Sequence, residues 1–408
     1  MEPDPSLPPL VEPGPPLTPA ERERWSRHLL LPALGETGQR RLRAARVCVV
    51  GAGGLGAPVL QYLAAAGVGT VGVVDVDDVE LSNLQRQVVH GVADVGRPKV
   101  DSAAEAVHRL DPDVRVVRHH VRLDAGTVDL LADYDVVVDG TDNFPTRYLV
   151  ADACARLGLP EVWGSVFRFD AQVSVFWSAP PAGVPGVGLR DLFPEPPDPG
   201  TVPSCAEGGV LGAMCGQVGS LMATEVVKLV TGVGRPLLGR VLVLDALAAR
   251  WSEIPVRARA VPGGRPAPAA PGPRAAATPA AATPAAATPA APPPATPVPL
   301  VAPCELAAML ERRARGAEPF TLLDVREAAE LDVVALPGAV HLPLARVLDG
   351  SGLDAVPGDR PVVVLCRSGV RSEQAALALL AAGRSDVAHL DGGVLGWVDQ
   401  VDPTLARY

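Results

Sequence analysis

A glycine-rich turn stands near the amino end of the chain, between two apolar segments. Gly51, Gly53 and Gly56 satisfy the spacing G-x-G-x-x-G, and Gly54 adds a further glycine. Glycines let a backbone approach a phosphate closely, and a following helix supplies amide donors and a partial positive charge. Asp75 ends the next apolar segment, where a carboxylate can accept the hydroxyls of a ribose. The pattern predicts a nucleotide site, although an NAD enzyme would look the same up to this point.

The polar side chains that follow suggest which nucleotide binds. Ser82, Asn83 and Arg86 lie in the stretch SNLQRQ, and Lys99 stands at the start of a predicted helix. Cationic and amide donors just past the ribose site suit a triphosphate, because its charge must be neutralised and its pyrophosphate must leave. The cluster therefore favours ATP over NAD.

A second polar turn, with Asp142 and Asn143, follows the apolar stretch DVVVDG. The carboxyl ends of parallel strands meet at one edge of a sheet, so we expect these residues to lie near Gly53 and Asp75. A carboxylate at that edge can hold Mg²⁺ against phosphates. The alternative is a solvated loop in which Asp142 only caps a helix.

A cysteine near the carboxyl end of the chain, Cys366, ends the apolar stretch PVVVLC, and RSGVR leads from it into a helix. Backbone amides, a helix N-terminus, Arg367 and Arg371 would all favour the thiolate. Four residues separate Cys366 from Arg371, one fewer than in cysteine-dependent phosphatases, and the tighter loop suits a sulfane sulfur. We predict a persulfide on Cys366, with Asp324 and Arg371 shaping the loop. A buried, unreactive cysteine is the alternative.

The elements that position these side chains follow an α/β pattern. From Thr18 to about Pro255, the stretches RVCVV, TVGVVD, VRVVRH and YDVVVDG alternate with helix-like segments, which predicts a doubly wound, mostly parallel, Rossmann-like sheet. Residues 47–74 are apolar enough to imitate a membrane span. Their glycines and their change of period indicate a buried strand-helix-strand unit instead.

Composition divides the 408-residue chain into four parts. Residues 1–17 are proline-rich and acidic and are expected to be disordered. Residues 18–256 form the predicted nucleotide-binding domain. Residues 257–300 contain three copies of AAATP and predict an extended Pro/Ala-rich linker. Residues 301–408 predict a small second α/β domain.

Charge and cysteine usage exclude some classes of function. The net charge of −10 argues against nucleic acid or an anionic membrane surface as the main partner. The six cysteines are widely spread and include no CxxC pair. This distribution fits a reducing cytoplasm and offers no metal-finger spacing.

The part from Arg22 to Pro255 resembles the ThiF/MoeB family of ubiquitin-activating-like adenylyltransferases. The stretches RWSRHLLLPALG, GAGGLGAP, DVDDVELSNLQRQ, GRPKV, TDN and SCAEGGVLG occur in order. The resemblance implies ATP and Mg²⁺, and adenylation of the C-terminal glycine of a ubiquitin-like sulfur-carrier protein. It also implies a role for each matched residue: ribose for Asp75, phosphates for Asn83, Arg86 and Lys99, and magnesium for Asp142.

Two further residues acquire roles only through this resemblance. Arg27 matches an arginine that family members donate across a dimer interface, which implies a homodimer. Cys205, in SCAEGGVLG, would be a resolving thiol, with an unreactive loop cysteine as the alternative. Many family members also hold a structural zinc with two CxxC pairs. Here the corresponding stretch reads AGVPGVGLRDLF, so we expect no structural zinc.

Residues 301–408 resemble a rhodanese sulfurtransferase domain, with DVRE, LPGAVHLPL, CRSGVRS and LDGGVLGW in order. Together the two resemblances imply that a persulfide on Cys366 converts the acyl-adenylate of the carrier into a thiocarboxylate. The sulfur would come from thiosulfate or a cysteine-desulfurase persulfide, and would serve a molybdopterin, thiamine or cysteine pathway. Two alternatives stay open: an NAD-linked oxidoreductase with a regulatory sulfur domain, and a non-catalytic module that binds a ubiquitin-like protein.

Overall fold

The computed structural model describes residues 7–181, 183–197, 208–259 and 298–406. These residues fall into two compact units, the first ending at Arg259 and the second beginning at Val298. Several positions singled out from the sequence lie outside the described residues. They are Cys205, the first six residues of the amino-terminal segment, and most of the predicted linker with its AAATP repeats.

An eight-stranded sheet forms the centre of the first unit. Its leading strands are short, Val-rich and buried apart from their first residues, as expected where helices cover both faces of a parallel sheet. The strands are β1 (Arg46–Val50), β2 (Thr70–Val74), β3 (Arg115–His119), β4 (Val136–Asp139), β5 (Glu161–Phe167), β6 (Asp170–Phe176), β7 (Arg240–Asp245) and β8 (Arg250–Pro255).

The strand order is β3-β2-β1-β4-β5-β6-β7-β8, with β1 to β5 parallel and the remaining strands antiparallel. The direction of winding reverses between β1 and β4. Ligands of doubly wound sheets bind at the carboxyl ends of the strands at such a switch point. The glycine turn after β1, Asp75 after β2 and Asp142 after β4 therefore share one edge, as the sequence predicts.

Helices cover both faces of this sheet. On β5, a Cβ at Gly164 would meet Met222 of the long helix α8, whereas the adjacent Trp163 faces α6 and α7. The helices of the first unit are α1 (Pro19–Arg24), α2 (Ser26–Leu29), α3 (Gly35–Ala44), α4 (Gly56–Ala65), α5 (Lys99–Leu110), α6 (Phe144–Leu157), α7 (Leu189–Leu192) and α8 (Gly212–Thr231), with 3-10 turns at Leu81–Asn83, Val92–Asp94 and Val128–Asp133.

The amino-terminal segment differs from the expectation of disorder in its described part, residues 7–17. Leu7 and Leu17 are buried, and Leu10 donates its amide to the carbonyl oxygen of Leu229 at 3.0 Å. The carbonyl oxygen of Gly14 accepts a hydrogen bond from the Arg40 guanidinium. Scattered leucines in a proline-rich segment are enough to anchor it on a neighbouring surface, which overall composition does not reveal.

The second unit is built on a five-stranded parallel sheet of order β11-β10-β12-β13-β9. Its strands are β9 (Leu300–Val301), β10 (Thr321–Asp324), β11 (Ala339–His341), β12 (Val362–Leu365) and β13 (Val387–Leu390). Its helices are α9 (Pro303–Ala314), α10 (Ala328–Leu331), α11 (Leu344–Leu348), α12 (Val370–Ala381) and α13 (Gly393–Gln400), with a 3-10 turn at Leu353–Ala355. Cys366 directly follows β12, so it lies at the carboxyl edge of this sheet.

The apolar stretch of residues 47–74 forms β1, α4 and β2, as predicted. Within the part of the chain that the structure describes, no helix combines the length and apolar composition needed to cross a membrane.

Candidate functional site

The turn after β1 uses glycine where other residues do not fit. Gly51 has a φ of +90°, a backbone conformation that L side chains rarely adopt. At Gly56 a Cβ would lie 1.8 Å from the carbonyl oxygen of Gly51. α4 begins at Gly56 without a side-chain cap, so its N-terminus and the partial positive charge there stand beside the turn, although the Ala57 amide already donates to the Gly53 carbonyl oxygen at 2.9 Å. The turn thus offers the backbone donors that a phosphate needs.

We expect Gly56→Ala to disrupt this turn, because the added Cβ has to displace a backbone oxygen rather than a flexible side chain. The free energy of unfolding should fall by about 3 kcal/mol, the upper end of the usual cost of overpacking, and ATP binding should be lost. Urea denaturation and calorimetric titration with ATP measure the two effects.

Gly53→Ala is the matched control, because a Cβ at Gly53 would make an ordinary contact with Gln87 Nε2 at 3.7 Å. Its free energy of unfolding should stay within about 0.5 kcal/mol of wild type, while the new methyl group hinders the approach of phosphate. Equal unfolding free energies for the two variants would contradict this packing explanation.

Asp75 connects the end of β2 to the glycine turn. Its Oδ2 accepts the amide of Ala52 at 2.8 Å, and its Oδ1 accepts the amide of Asp77 at 2.9 Å. A carboxylate can accept more than these two bonds. The predicted contact with ribose hydroxyls is therefore compatible with the structure.

A buried histidine, His90, holds the same turn and was not predicted from the sequence. Its Nε2 lies 3.1 Å from the carbonyl oxygen of Ala52 and its Nδ1 lies 2.9 Å from Ser102 Oγ. A carbonyl only accepts, so Nε2 carries the hydrogen. Burial lowers the pKa of His90 and favours this neutral ring. No short motif connects His90 to Ala52, which is 38 positions away.

Two cations stand at this edge, and both already have partners. Lys99 is only 6% exposed, and its Nζ lies 3.0 Å from Asp77 Oδ2. Arg86 donates from Nη1 to the carbonyl oxygen of Ser82 at 3.1 Å. A Cβ at Gly54 would lie 3.6 Å from Arg86 Cγ. The Arg86 side chain therefore lies against the glycine turn.

Ser82 and Asn83 belong to a 3-10 turn that they also stabilise. Asn83 is buried, and its Oδ1 accepts the amide of Glu80 at 3.1 Å. Ser82 Oγ donates to Glu80 Oε2 at 3.1 Å. Both predicted nucleotide-binding residues thus lie in the turn that precedes Arg86, with part of their hydrogen-bonding capacity used locally.

The turn after β4 presents Asp142 to solvent. The N-cap of α6 is Asn143, whose Oδ1 accepts the Thr146 amide at 3.0 Å, so the capping role considered for Asp142 falls to its neighbour. Asp142 makes no hydrogen bond or ion pair with any other described residue. Its carboxylate is available to a cation, as a magnesium ligand must be.

Thr141 is held from two sides, which fixes the backbone beside Asp142. Asp139 Oδ1 accepts the Thr141 amide at 2.9 Å and its hydroxyl at 2.7 Å. Arg147 donates to the Thr141 carbonyl oxygen from Nε at 3.2 Å and from Nη2 at 2.9 Å. None of these three residues was predicted as part of the site.

Asp139 and Glu161 form a buried pair of carboxyl groups on neighbouring strands, 0% and 1% exposed. Burial raises the pKa of both, and the charge of Asp139 raises the pKa of Glu161 further. Asp139 Oδ2 and Glu161 Oε1 have no hydrogen-bond partner among the described residues. Burial and the proximity of the two carboxyl groups therefore favour the protonated form of the pair.

We expect Glu161→Gln to make the fold less sensitive to alkaline pH. Because the native pKa of Glu161 is raised above its unfolded value, its contribution to stability is full at low pH and is lost as pH rises through the native pKa. Glutamine does not ionise. The decline in the free energy of unfolding as the pH rises above the ordinary pKa of glutamate should flatten by up to about 1.4 kcal/mol per pH unit.

Urea denaturation across this pH range measures the slope. Glu253→Gln, at an exposed position of the same sheet, is the control and should keep the slope of wild type. A wild-type slope for Glu161→Gln would show that Glu161 does not retain the proton.

In the second unit, Cys366 lies in a loop between β12 and α12 and is 1% exposed. The amide of Gly369 donates to its Sγ at 3.2 Å. Gly369 has a φ of +103°, which permits this close turn. The sulfur thus lies against a backbone amide at the N-terminus of α12, as the sequence CRSGVRS predicts.

Arg371 is fixed by a buried ion pair. Its Nη1 and Nη2 donate to the carboxylate of Glu330 at 2.8 and 2.7 Å. Burial by itself would raise the pKa of Glu330, but hydrogen bonds from Arg371 and from the Glu327 amide bring it below its ordinary value. Asp324 pairs in the same manner with the buried Arg326, at 2.6 Å. Both Asp324 and Arg371 are engaged in structural pairs, which fits a loop-shaping role.

Comparison with known proteins identifies both units. Residues 25–262 match the ThiF family, and residues 303–400 match the rhodanese-like domain. The chain is 48% identical over 404 residues to the probable adenylyltransferase/sulfurtransferase MoeZ of Mycobacterium tuberculosis, with 99% of each chain covered. The chain belongs to the ThiF family.

A shorter relative covers the ThiF-family unit alone. The sulfur carrier protein adenylyltransferase of Thermus thermophilus is 52% identical over 241 residues, which is 59% of this chain and 89% of that protein. Among solved structures, PaaA shares the fold, with a TM-score of 0.50 and 24% identity over 59% of this chain and 75% of that one. The predicted family and the predicted α/β fold class are confirmed.

Arg27 lies on α2 of the ThiF-family unit and is exposed. It makes no hydrogen bond or ion pair within the described ranges. Leu30 and Leu31, directly after this helix, are 70% and 52% exposed. An exposed guanidinium beside exposed leucines is compatible with the predicted interface role of Arg27, which stays a prediction.

In the stretch where no structural zinc was expected, one aspartate accepts two backbone hydrogen bonds. Asp191 of α7 accepts the amides of Gly188 at 2.8 Å and Arg259 at 2.9 Å. It thereby ties this ThiF-family loop to the segment after β8. Over the described residues, no group of three or more His, Cys, Asp or Glu is placed to hold a metal. The expectation of no structural zinc stays a prediction, as does the resolving role of Cys205, which lies outside the described residues.

Proposed function

We propose that this chain adenylates the C-terminal glycine of a ubiquitin-like sulfur-carrier protein and then converts that carboxylate into a thiocarboxylate. The proposal rests on one observation: a single chain contains two different sites. One is a glycine turn with Arg86, Lys99 and Asp142 at the same sheet edge, and the other is a loop that holds Cys366 against a backbone amide. The names of the relatives, MoeZ and sulfur carrier protein adenylyltransferase, support the same activity.

The residues at the first edge fit ATP. The glycine turn offers backbone amides to phosphates, and Asp75 lies where a ribose hydroxyl would be accepted. Arg86 and Lys99 supply positive charge, with Ser82, Asn83 and Asn143 as neighbouring polar groups. Mg²⁺ held by Asp142 would neutralise phosphate charge when bound.

The first reaction needs no protein nucleophile. The carrier carboxylate attacks the α-phosphorus, a new O–P bond forms, and pyrophosphate leaves with the electron pair of the broken bond. The protein contributes by orienting the two reactants and by stabilising charge on the leaving group.

The second reaction uses the sulfur of Cys366. A sulfane-sulfur donor, thiosulfate or a protein persulfide, loads Cys366 as a persulfide. The terminal sulfur attacks the acyl carbon and displaces AMP, which gives an acyl disulfide. A thiolate at Cys205 then attacks Cys366 Sγ and releases the carrier thiocarboxylate, and the resulting disulfide is reduced by an external thiol.

The proposal includes an assembly and a location. A homodimer is supported by the exposed Arg27 and its leucine neighbours. A cytoplasmic location is supported by the use of ATP and by the wide spacing of the six cysteines, which include no CxxC pair. The pathway served, whether for molybdopterin, thiamine or cysteine, follows from the carrier that is accepted.

Mass spectrometry of candidate carriers tests the proposal. Each carrier is incubated with the full chain, ATP, Mg²⁺ and thiosulfate, and we expect replacement of one oxygen by sulfur at the terminal carboxyl group. ATP–pyrophosphate exchange is measured in parallel. Exchange that depends on the carrier excludes both the NAD-linked oxidoreductase and the non-catalytic binding module. Absence of exchange with every candidate carrier would overturn the proposal.

A further inference from the structure

Three buried side chains form a line that begins at Cys366. Cys366 Sγ lies 3.5 Å from Ser372 Oγ, and Ser372 Oγ lies 3.5 Å from His389 Nδ1. The three residues are 1%, 0% and 6% exposed. They come from the loop after β12, from the first turn of α12 and from β13, so the fold rather than a local motif brings them together.

The Ser372 hydroxyl has two kinds of partner. It donates to the carbonyl oxygen of Gly369 at 2.8 Å, and its lone pairs can accept from the thiol of Cys366. A small rotation of the hydroxyl would let it donate instead to an unprotonated His389 Nδ1 or to a thiolate. The two distances of 3.5 Å are long, as is common for proton-transfer contacts before the substrate binds.

The surroundings of His389 suit a proton acceptor. Its partners along the sheet are Val364 of β12 and Leu300 of β9, which are apolar. The charged groups that face it are Glu373 on α12 and Asp391 after β13. Burial lowers the pKa of His389 while these two carboxylates favour its protonation. The ring is therefore neutral at neutral pH and is stabilised when it gains a proton.

We propose that His389 accepts the proton of Cys366 through Ser372 when sulfur is loaded, an inference that rests on the proposed role of Cys366. The thiol gives its proton to Ser372 Oγ, and Ser372 passes its own hydroxyl proton to His389 Nδ1, which leaves a thiolate and an imidazolium. The thiolate then bonds to the outer sulfur of the sulfane donor. The donor's sulfur–sulfur bond breaks, and sulfite or a thiolate leaves with the electron pair.

The test is the pH profile of sulfur loading from thiosulfate onto Cys366 in the full chain, followed by peptide mass spectrometry. We expect His389→Gln to slow loading by about 100-fold near neutral pH, the lower end of the range for a lost proton acceptor. The difference in loading rate between His389→Gln and wild type should narrow as the pH rises, because solvent can then take the Cys366 proton in place of His389. Ser372→Ala changes the volume of the core less and should give the same profile, which covers the case in which His389→Gln does not fold.

His341→Gln is the control, because His341 is a half-buried histidine of the same unit that bonds to the Arg326 carbonyl oxygen. Its profile should match wild type. A wild-type profile for Ser372→Ala, or a uniform reduction at every pH, would overturn the relay. Loading of the whole chain at the wild-type rate in Cys366→Ser would instead show that another thiol takes up the sulfur, and would overturn the proposed role of Cys366.

Discussion

Cys366→Ser is expected to lower carrier thiocarboxylate formation by about 10³-fold or more while ATP–pyrophosphate exchange keeps its wild-type rate. A serine hydroxyl at this position cannot hold a sulfane sulfur, so the acyl-adenylate forms but receives no sulfur. The replacement is nearly isosteric and leaves the Gly369 amide with an oxygen to bond. Mass spectrometry of the carrier and radioactive exchange measure the two steps separately.

Cys304→Ser is the matched control for this experiment. Cys304 is an exposed, free cysteine on α9 of the same unit, so its loss should change neither step. Sulfur transfer by Cys366→Ser would show that another thiol carries the sulfur. A parallel loss of pyrophosphate exchange would show that the two chemical steps are not separable in this chain.

Asp142→Asn is expected to reduce ATP–pyrophosphate exchange by about 10²- to 10³-fold. The substitution removes the carboxylate that we assign to magnesium and leaves a weaker neutral ligand of the same shape. Since Asp142 is exposed and has no hydrogen bond or ion pair in the described structure, the free energy of unfolding should change by less than about 0.5 kcal/mol. Exchange should recover in part as Mg²⁺ is raised.

Asp133→Asn provides the control for charge. Asp133 is another exposed aspartate of the same unit, but it precedes β4 and so lies at the opposite edge of the sheet from Asp142. Its exchange rate should equal that of wild type. Full activity of Asp142→Asn at low Mg²⁺ would exclude Asp142 as the metal ligand.

The features that sequence alone could predict are those that a few consecutive residues determine. RVCVV followed by GAGGLG specifies a buried strand, a tight turn and a helix, and CRSGVRS specifies a strand end, a loop and a helix N-terminus. Asp75 and Asp142 were predicted at one edge because each directly follows a strand of a parallel sheet. In all these cases the rule depends on spacing within one segment.

The features that were missed depend on contacts between distant segments. His90 bonds to the glycine turn, Glu161 lies on the strand next to that of Asp139, and Asp191 accepts the Arg259 amide, 68 positions away. Each is a single polar residue in a segment whose pattern gives no sign of a partner. The amino-terminal segment was missed for a related reason, since one leucine at each end, Leu7 and Leu17, is enough to anchor it.

The ion pair between Lys99 and Asp77 means that a carboxylate of the chain competes with incoming anions for Lys99 in the candidate nucleotide site. Any anion that binds Lys99 competes with a carboxylate that is always present, because it is part of the same chain. A monoanion that takes the place of Asp77 replaces one contact to Lys99 with another, so it gains little binding free energy. In the proposed ATP site, a triphosphate would replace that contact while also engaging the turn amides and Arg86. In that proposed site, competition from Asp77 would add to shape in favouring polyanions over simple salts.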